Sequence, residues 1–195
     1  GGNKNNRVVQ AEALAIYIKD DITFGNFIVT PGVRFEDIEL ERRDWSTLPR
    51  NATPSLKQNS VTAVLPSIGV LYNVNDKLSL LTGAYNGFGT PTTTSGVEEE
   101  QALNVELGGR YQQADLMIEL IAFTSDYENL VGECTASSST SDCDIGDQFN
   151  GGEATVRGLE FQLTNNYQLT DNTAMPVSIA YTYTDAAFDS TFDGE

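Results

Sequence analysis

Arg42, Arg43, Trp45 and Arg50 form the one basic cluster of a chain that carries 11 Lys+Arg against 28 Asp+Glu. A tryptophan among arginines on a loop suits recognition of a charged, partly apolar ligand. A solvated loop is the plainer reading of the same residues. Tyr85 and Phe88 are ligand candidates of the same kind. Arg34 and Arg110, with Lys19, fall on a polar strand face that also carries Glu36, Glu106 and Glu160. Arginine pairs well with carboxylates, so Arg34 and Arg110 suit an anionic chelate. Ion pairing with Glu36 and Glu106 would also account for them, and both readings stay open.

Other chemistry is thin. The chain has no histidine, which removes Ser/His/Asp and Cys/His triads and His-ligated zinc. Glu98, Glu99 and Glu100 have no nucleophile beside them and read as a charged loop. Asp142, Asp144 and Asp147 depart from a calcium loop, because Gly146 arrives early and no bidentate Glu follows. No enzyme, no metal site and no resident cofactor is expected. A formal charge of -17 argues against a nucleic-acid partner, which needs a basic footprint.

The elements that must carry these residues read as strands. The longest apolar run, Ala13 to Ile18, is six residues and cannot make a transmembrane helix. Apolar residues instead recur at spacing two. Leu14, Ile16 and Ile18 share one face; Ala13, Ala15, Tyr17 and Lys19 share the other. The same alternation marks Phe27–Ile38, Val64–Asn73, Leu78–Asn86, Leu103–Tyr111, Leu116–Tyr127, Leu159–Thr164 and Val177–Thr184. Short connections are expected at Asp20-Asp21, Asn75-Asp76, Gln112-Gln113 and Asn165-Asn166. Long polar ones are expected at about 37–60, 87–102 and 131–152. Sorting of loop lengths by end is the habit of a transmembrane barrel, with a lipid-facing apolar band and a polar lumen. Charges at Lys19, Arg34, Glu36, Glu106, Arg110 and Glu160 would be costly in a dry core and are tolerated in a wet lumen. The alternative is a non-transporting β-sheet binding or adhesion domain at the cell surface.

Several stretches resemble the barrel of TonB-dependent outer-membrane receptors. They are Ala13–Asp21 followed by Ile28–Glu36, Leu65–Tyr72 leading to Tyr85-Asn-Gly-Phe88, Leu103–Tyr111 after Glu98–Glu100, Gly151–Phe161, and Val177–Tyr183. The cysteine loop with Ile145–Asn150 looks most like the ferric-citrate branch. The resemblance implies an all-β fold: an antiparallel transmembrane β-barrel segment, about eight strands of a larger barrel, spanning residues 1–195. It implies a bacterial outer-membrane location with lipid as a partner, and uptake of an iron chelate such as a ferric siderophore or ferric citrate. TonB would be met through a plug domain and TonB box that the chain does not contain. The chain opens on Gly1 and stops at Glu195 without a terminal aromatic residue, so an internal piece of the barrel is expected.

Cys134 and Cys143 are separated by eight residues, mostly small and polar. That spacing fits neither a CxxC redox motif nor a zinc motif. Both lie in one long loop on the expected extracellular side, where oxidising conditions favour a disulfide.

Overall fold

The computed structural model describes residues 6–46, 50, 52–90, 93, 96–135 and 148–189. Its strands, in chain order, are β1 (Arg7–Lys19), β2 (Ile22–Phe24), β3 (Phe27–Asp44), β4 (Ser55–Asn73), β5 (Leu78–Gly89), β6 (Glu100–Gln113), β7 (Leu116–Glu133), β8 (Gln148–Thr170) and β9 (Thr173–Phe188). They form one antiparallel sheet in the order β1-β3-β4-β5-β6-β7-β8-β9, with the three-residue β2 also on β3. β1 and β2 are thus two halves of one strand, interrupted at Asp20 and Asp21. Thr30 Oγ1 donates to Asp21 Oδ1 at 2.6 Å and steadies the break. Eight strand positions result, as the alternation implies. β1 and β9 are edges, and the sheet is not closed.

Strand partners share a face, so the register shows which side chains lie together. Ile16 pairs with Phe35 and Phe35 with Val64; Ile18 pairs with Val33. Across the sheet, Val105 pairs with Ala84, Leu107 with Ala122, Leu120 with Phe161, Phe161 with Tyr181, and Leu163 with Ile179. The result is a continuous apolar band on the outer face, with Ile18 70% and Leu107 64% exposed. Scattered exposed apolar residues are ordinary; a band crossing a whole sheet marks a surface made for a non-aqueous neighbour. At the short-turn rim Phe24 stacks on Phe27 at 5.5 Å and Phe27 meets Tyr72 at 4.5 Å. These are the interfacial aromatics that such a band carries at its edge.

The connections sort by end. Turns at 25–26, 74–77, 114–115 and 171–172 lie at one end; the longer connections β3–β4, β5–β6 and β7–β8 leave from strand ends at the other. Asn75 builds one turn by accepting from Lys77 N at 2.9 Å and Leu78 N at 3.0 Å. The strands run further than their alternation suggests. Residues 37–44 and 55–60, expected as loop, are paired rungs of β3 and β4, ending at Asp44–Ser55. Residues 87–89, 100–102, 131–133 and 148–152 likewise belong to strands. Beyond the lipid band both faces meet polar surroundings, so alternation fades while the backbone ladder continues. For the same reason Gln112-Gln113 and Asn165-Asn166 are strand rather than turn, and the chain reverses at 114–115 and 171–172.

Candidate functional site in the lumen and mouth

The face opposite the apolar band carries Arg34, Glu36, Glu106, Arg110, Glu119 and Glu160. Arg34 lies opposite Tyr17 and two residues from Glu36, with which it makes an ion pair. Glu36 is almost wholly buried, so this pair is held in place by its surroundings. Arg110 pairs with Glu119, directly across the β6–β7 ladder, at 2.5 Å. That is a different carboxylate from the Glu106 that the spacing within β6 suggests. A cross-strand neighbour on the same face is nearer than a residue four positions along one strand. Both guanidinium groups keep about half their side-chain surface open, at 53% for Arg34 and 49% for Arg110.

Glu106 serves another cluster. Tyr85 donates its hydroxyl to Glu106 Oε1 at 3.4 Å, and Ser125 donates to Asn104 Oδ1 at 2.7 Å. With Phe123 and Glu160 these residues line a recess of about 220 Å³ on the lumen face. Asn104 and Ser125 gained their place through register, which parity along a single strand does not reveal.

Phe88 parts company with Tyr85. The β5 alternation puts Phe88 on the outer face, in a cleft with Thr62, Val64 and Asn86. The cleft exists because β4 and β5 separate. Their pairing runs from Asn73–Ser79 only to Ser67–Tyr85. The next β4 residue, Pro66, has no N–H to offer the ladder.

At the mouth, Arg42 and Arg43 are neighbours in β3 and therefore face opposite sides. Arg42 points inward and bonds Asp44 at 2.6 Å; Arg43 points outward and bonds Glu41 at 2.5 Å. Trp45, expected as an exposed loop residue, is half-buried, with the Arg50 guanidinium 4.8 Å over its ring. Arg50 also donates to Asn6 Oδ1 at 3.0 Å and to the Arg7 carbonyl at 3.2 Å. Asn6 closes the knot by donating to Trp45 O at 2.7 Å and accepting from Trp45 N at 3.0 Å. The buried Asn6 was not legible from its type or spacing. The structure thus brings Arg42, Trp45 and Arg50 to one hairpin end and separates Arg43 from them.

Cys134 follows β7 and is buried. Cys143, Asp142, Asp144 and Asp147 lie outside the described residues. Among the described residues no group of His, Cys, Asp and Glu is placed to hold a metal ion. Glu100, expected as part of a charged loop, instead ties two strands together, its Oε1 accepting from Val131 N at 2.8 Å.

The comparisons agree with this geometry. The whole chain, residues 1–195, matches the family described as TonB dependent receptor-like, beta-barrel. The ferric citrate transporter FecA in its unliganded form is 28% identical, with a TM-score of 0.69 over 94% of this chain and 28% of that one. The siderophore receptor PiuA from Acinetobacter baumannii has a TM-score of 0.75 at 19% identity, over 97% of this chain and 28% of that one. The ferric yersiniabactin uptake receptor FyuA from Yersinia pestis has a TM-score of 0.67 at 20% identity, over 93% and 28% of the two chains. At those last two identities the likeness is one of fold. The chain spans under a third of each of these proteins. A stand-alone adhesion domain is not favoured by this match, and the family is one of receptors rather than enzymes. An outer apolar band, a charged inner face, sorted connections and a family match over the full chain lead to one conclusion: the chain belongs to the TonB-dependent receptor β-barrel family of the bacterial outer membrane.

Proposed function

We propose that the receptor containing this chain imports a ferric chelate across the outer membrane, with ferric citrate or a ferric siderophore as ligand. The observation that carries this is the 28% identity to the ferric citrate transporter over 94% of the chain. The chemistry of the mouth supports it. Ferric citrate and ferric catecholates are anionic, and Arg42 and Arg50 stand at the hairpin end of a chain whose overall charge is -17. Local positive charge against an acidic background gives an anion one favourable place to dock. Arg34 and Arg110, half open, offer further donors below. Iron is cargo here and not a resident cofactor. Energy would come from the TonB complex, acting through a plug domain and TonB box of the receptor outside residues 1–195.

The test is transport. The complete receptor is expressed in cells stripped of their own ferric-chelate receptors, and uptake of radioactive iron is followed with ferric citrate and a panel of siderophores. Uptake of one of these chelates that stops when TonB is deleted is the expected result. No uptake of any ferric chelate by a correctly inserted receptor would refute the proposal.

A further inference from the structure

Either face of an open sheet is bare unless part of the chain lies on it. On the lumen face Tyr85 is 43% exposed, yet Glu36, Ile38, Val61 and Ala63 are buried. These four are adjacent rungs of one ladder, Glu36 opposite Ala63 and Ile38 opposite Val61, so they make a single compact patch. In the β5–β6 connection Thr93 and Val97 are themselves buried. Asn59, two residues from Val61 on the same face of β4, donates Nδ2 to Val97 O at 3.0 Å. Gly96 sits at φ +81°, a left-handed conformation open to glycine, and turns the chain back toward β6.

The other end is gripped by Asn150 of β8. Glu98 N donates to Asn150 Oδ1 at 2.9 Å, and Asn150 Nδ2 donates to Glu98 O at 3.1 Å. The amide thus copies a strand partner. Its Nδ2 also reaches Asn129 O at 3.3 Å, in the left-handed bulge of β7.

We propose that Thr93 and Gly96–Glu99 form an inward-folded strap held across the lumen wall of β3 and β4, with Val97 and Asn150 as its positioning residues. The hairpin β5–β6 ends lower than β3–β4, and Val97 turns inward to the wall of the taller hairpin. A ligand entering the mouth then meets the strap, while Glu36, Ile38 and Ala63 are withheld from it. Only this last step rests on the receptor reading.

The test uses the complete receptor in outer membranes and a membrane-impermeant charged maleimide, with the parent receptor as the blank for Cys134 and Cys143. Ala63→Cys lies under the strap; Thr62→Cys lies on the exposed outer face of the same strand. Ala63→Cys is expected to label at least about tenfold more slowly, which corresponds to about 1.4 kcal/mol of closure. Adding Val97→Asp or Asn150→Ala should abolish that difference, whereas adding Val97→Ile should preserve it. Where Val97→Asp prevents assembly, replacing residues 93–98 by a Gly-Ser linker must abolish it instead. Equal labelling in the parent background overturns the strap. So does protection that survives these releasing changes, since something else then covers the wall. No ligand is present in the assay, so its outcome is separate from that of the uptake experiment.

Discussion

Arg42 and Arg43 look alike in sequence and differ in consequence, because one strand position reverses the face. If the mouth binds an anionic chelate, Arg42→Gln should weaken capture by about tenfold, the loss of about 1.4 kcal/mol. Arg43→Gln, on the outer face beside Glu41, should leave ligand titrations of the receptor unchanged. Trp45 gives a second residue-level readout, since it is the chain's one tryptophan. In the detergent-refolded chain, Arg50→Ala removes the guanidinium over the ring and its bonds to Asn6 and Arg7. Trp45 emission should shift to the red, with about 0.5–2 kcal/mol of local stability lost. Gly158 is a close-approach site: an added Cβ would lie 2.1 Å from Tyr183 O and 2.8 Å from the Phe123 ring. Gly158→Ala should cost about 1–3 kcal/mol by overpacking, read as a lower urea midpoint for the folded receptor in detergent.

At the scale of elements, the lipid-facing parts were the legible ones. Ile16, Leu107 and Phe161 must be apolar while their chain neighbours need not be, so the period of two stands out. Outside the band that constraint lapses. Arg42, Lys57 and Asn150 sit in paired strands, yet nothing in their spacing separates them from loop residues. The lumen contacts were half legible. Arg34 with Glu36 follows from spacing along one strand, while Arg110 with Glu119 needs the register between two. The Asn6 knot and the Asn150 grip depend on single amides far apart in the chain, and no local pattern announces them. The loop after β7 carries a prediction of its own. Cys134 and Cys143 are expected to be joined, closing a small ring worth roughly 2.5–3 kcal/mol of unfolded-state freedom. Thiol titration of unreduced receptor should find neither sulfhydryl free, and reduction should leave the β-sheet circular dichroism intact. Two titratable thiols would sink the pairing.

For the whole molecule, the core is small. Among the described residues the buried apolar set is Ile38, Val61, Ala63, Val97, Ala102 and Cys134. A self-sufficient domain of this length would bury far more of its apolar surface. Here that surface faces outward, and β1 and β9 present unpaired edges. Open edges recruit other chains and bare apolar faces aggregate. The isolated chain should therefore need detergent for solubility. A monodisperse monomer in plain buffer with a cooperative thermal transition, seen by ultracentrifugation and calorimetry, would contradict the lipid-facing assignment of the band.

The parting of β4 from β5 has a mechanical side. β3 and β4 are laced from Phe27–Tyr72 to Asp44–Ser55, whereas the lacing of β4 to β5 stops at Ser67–Tyr85. The wall then behaves as two stiff plates, β1–β4 and β5–β9, joined by a hinge near the short-turn rim. Toward the mouth the plates are tied on the lumen side, where the Asn59 amide holds the Val97 carbonyl. Pulled from one end in a force spectrometer, the receptor should yield first along this line, releasing β1–β4 as one step. Untying Val97 should lower the force of that step and leave the later ones where they were.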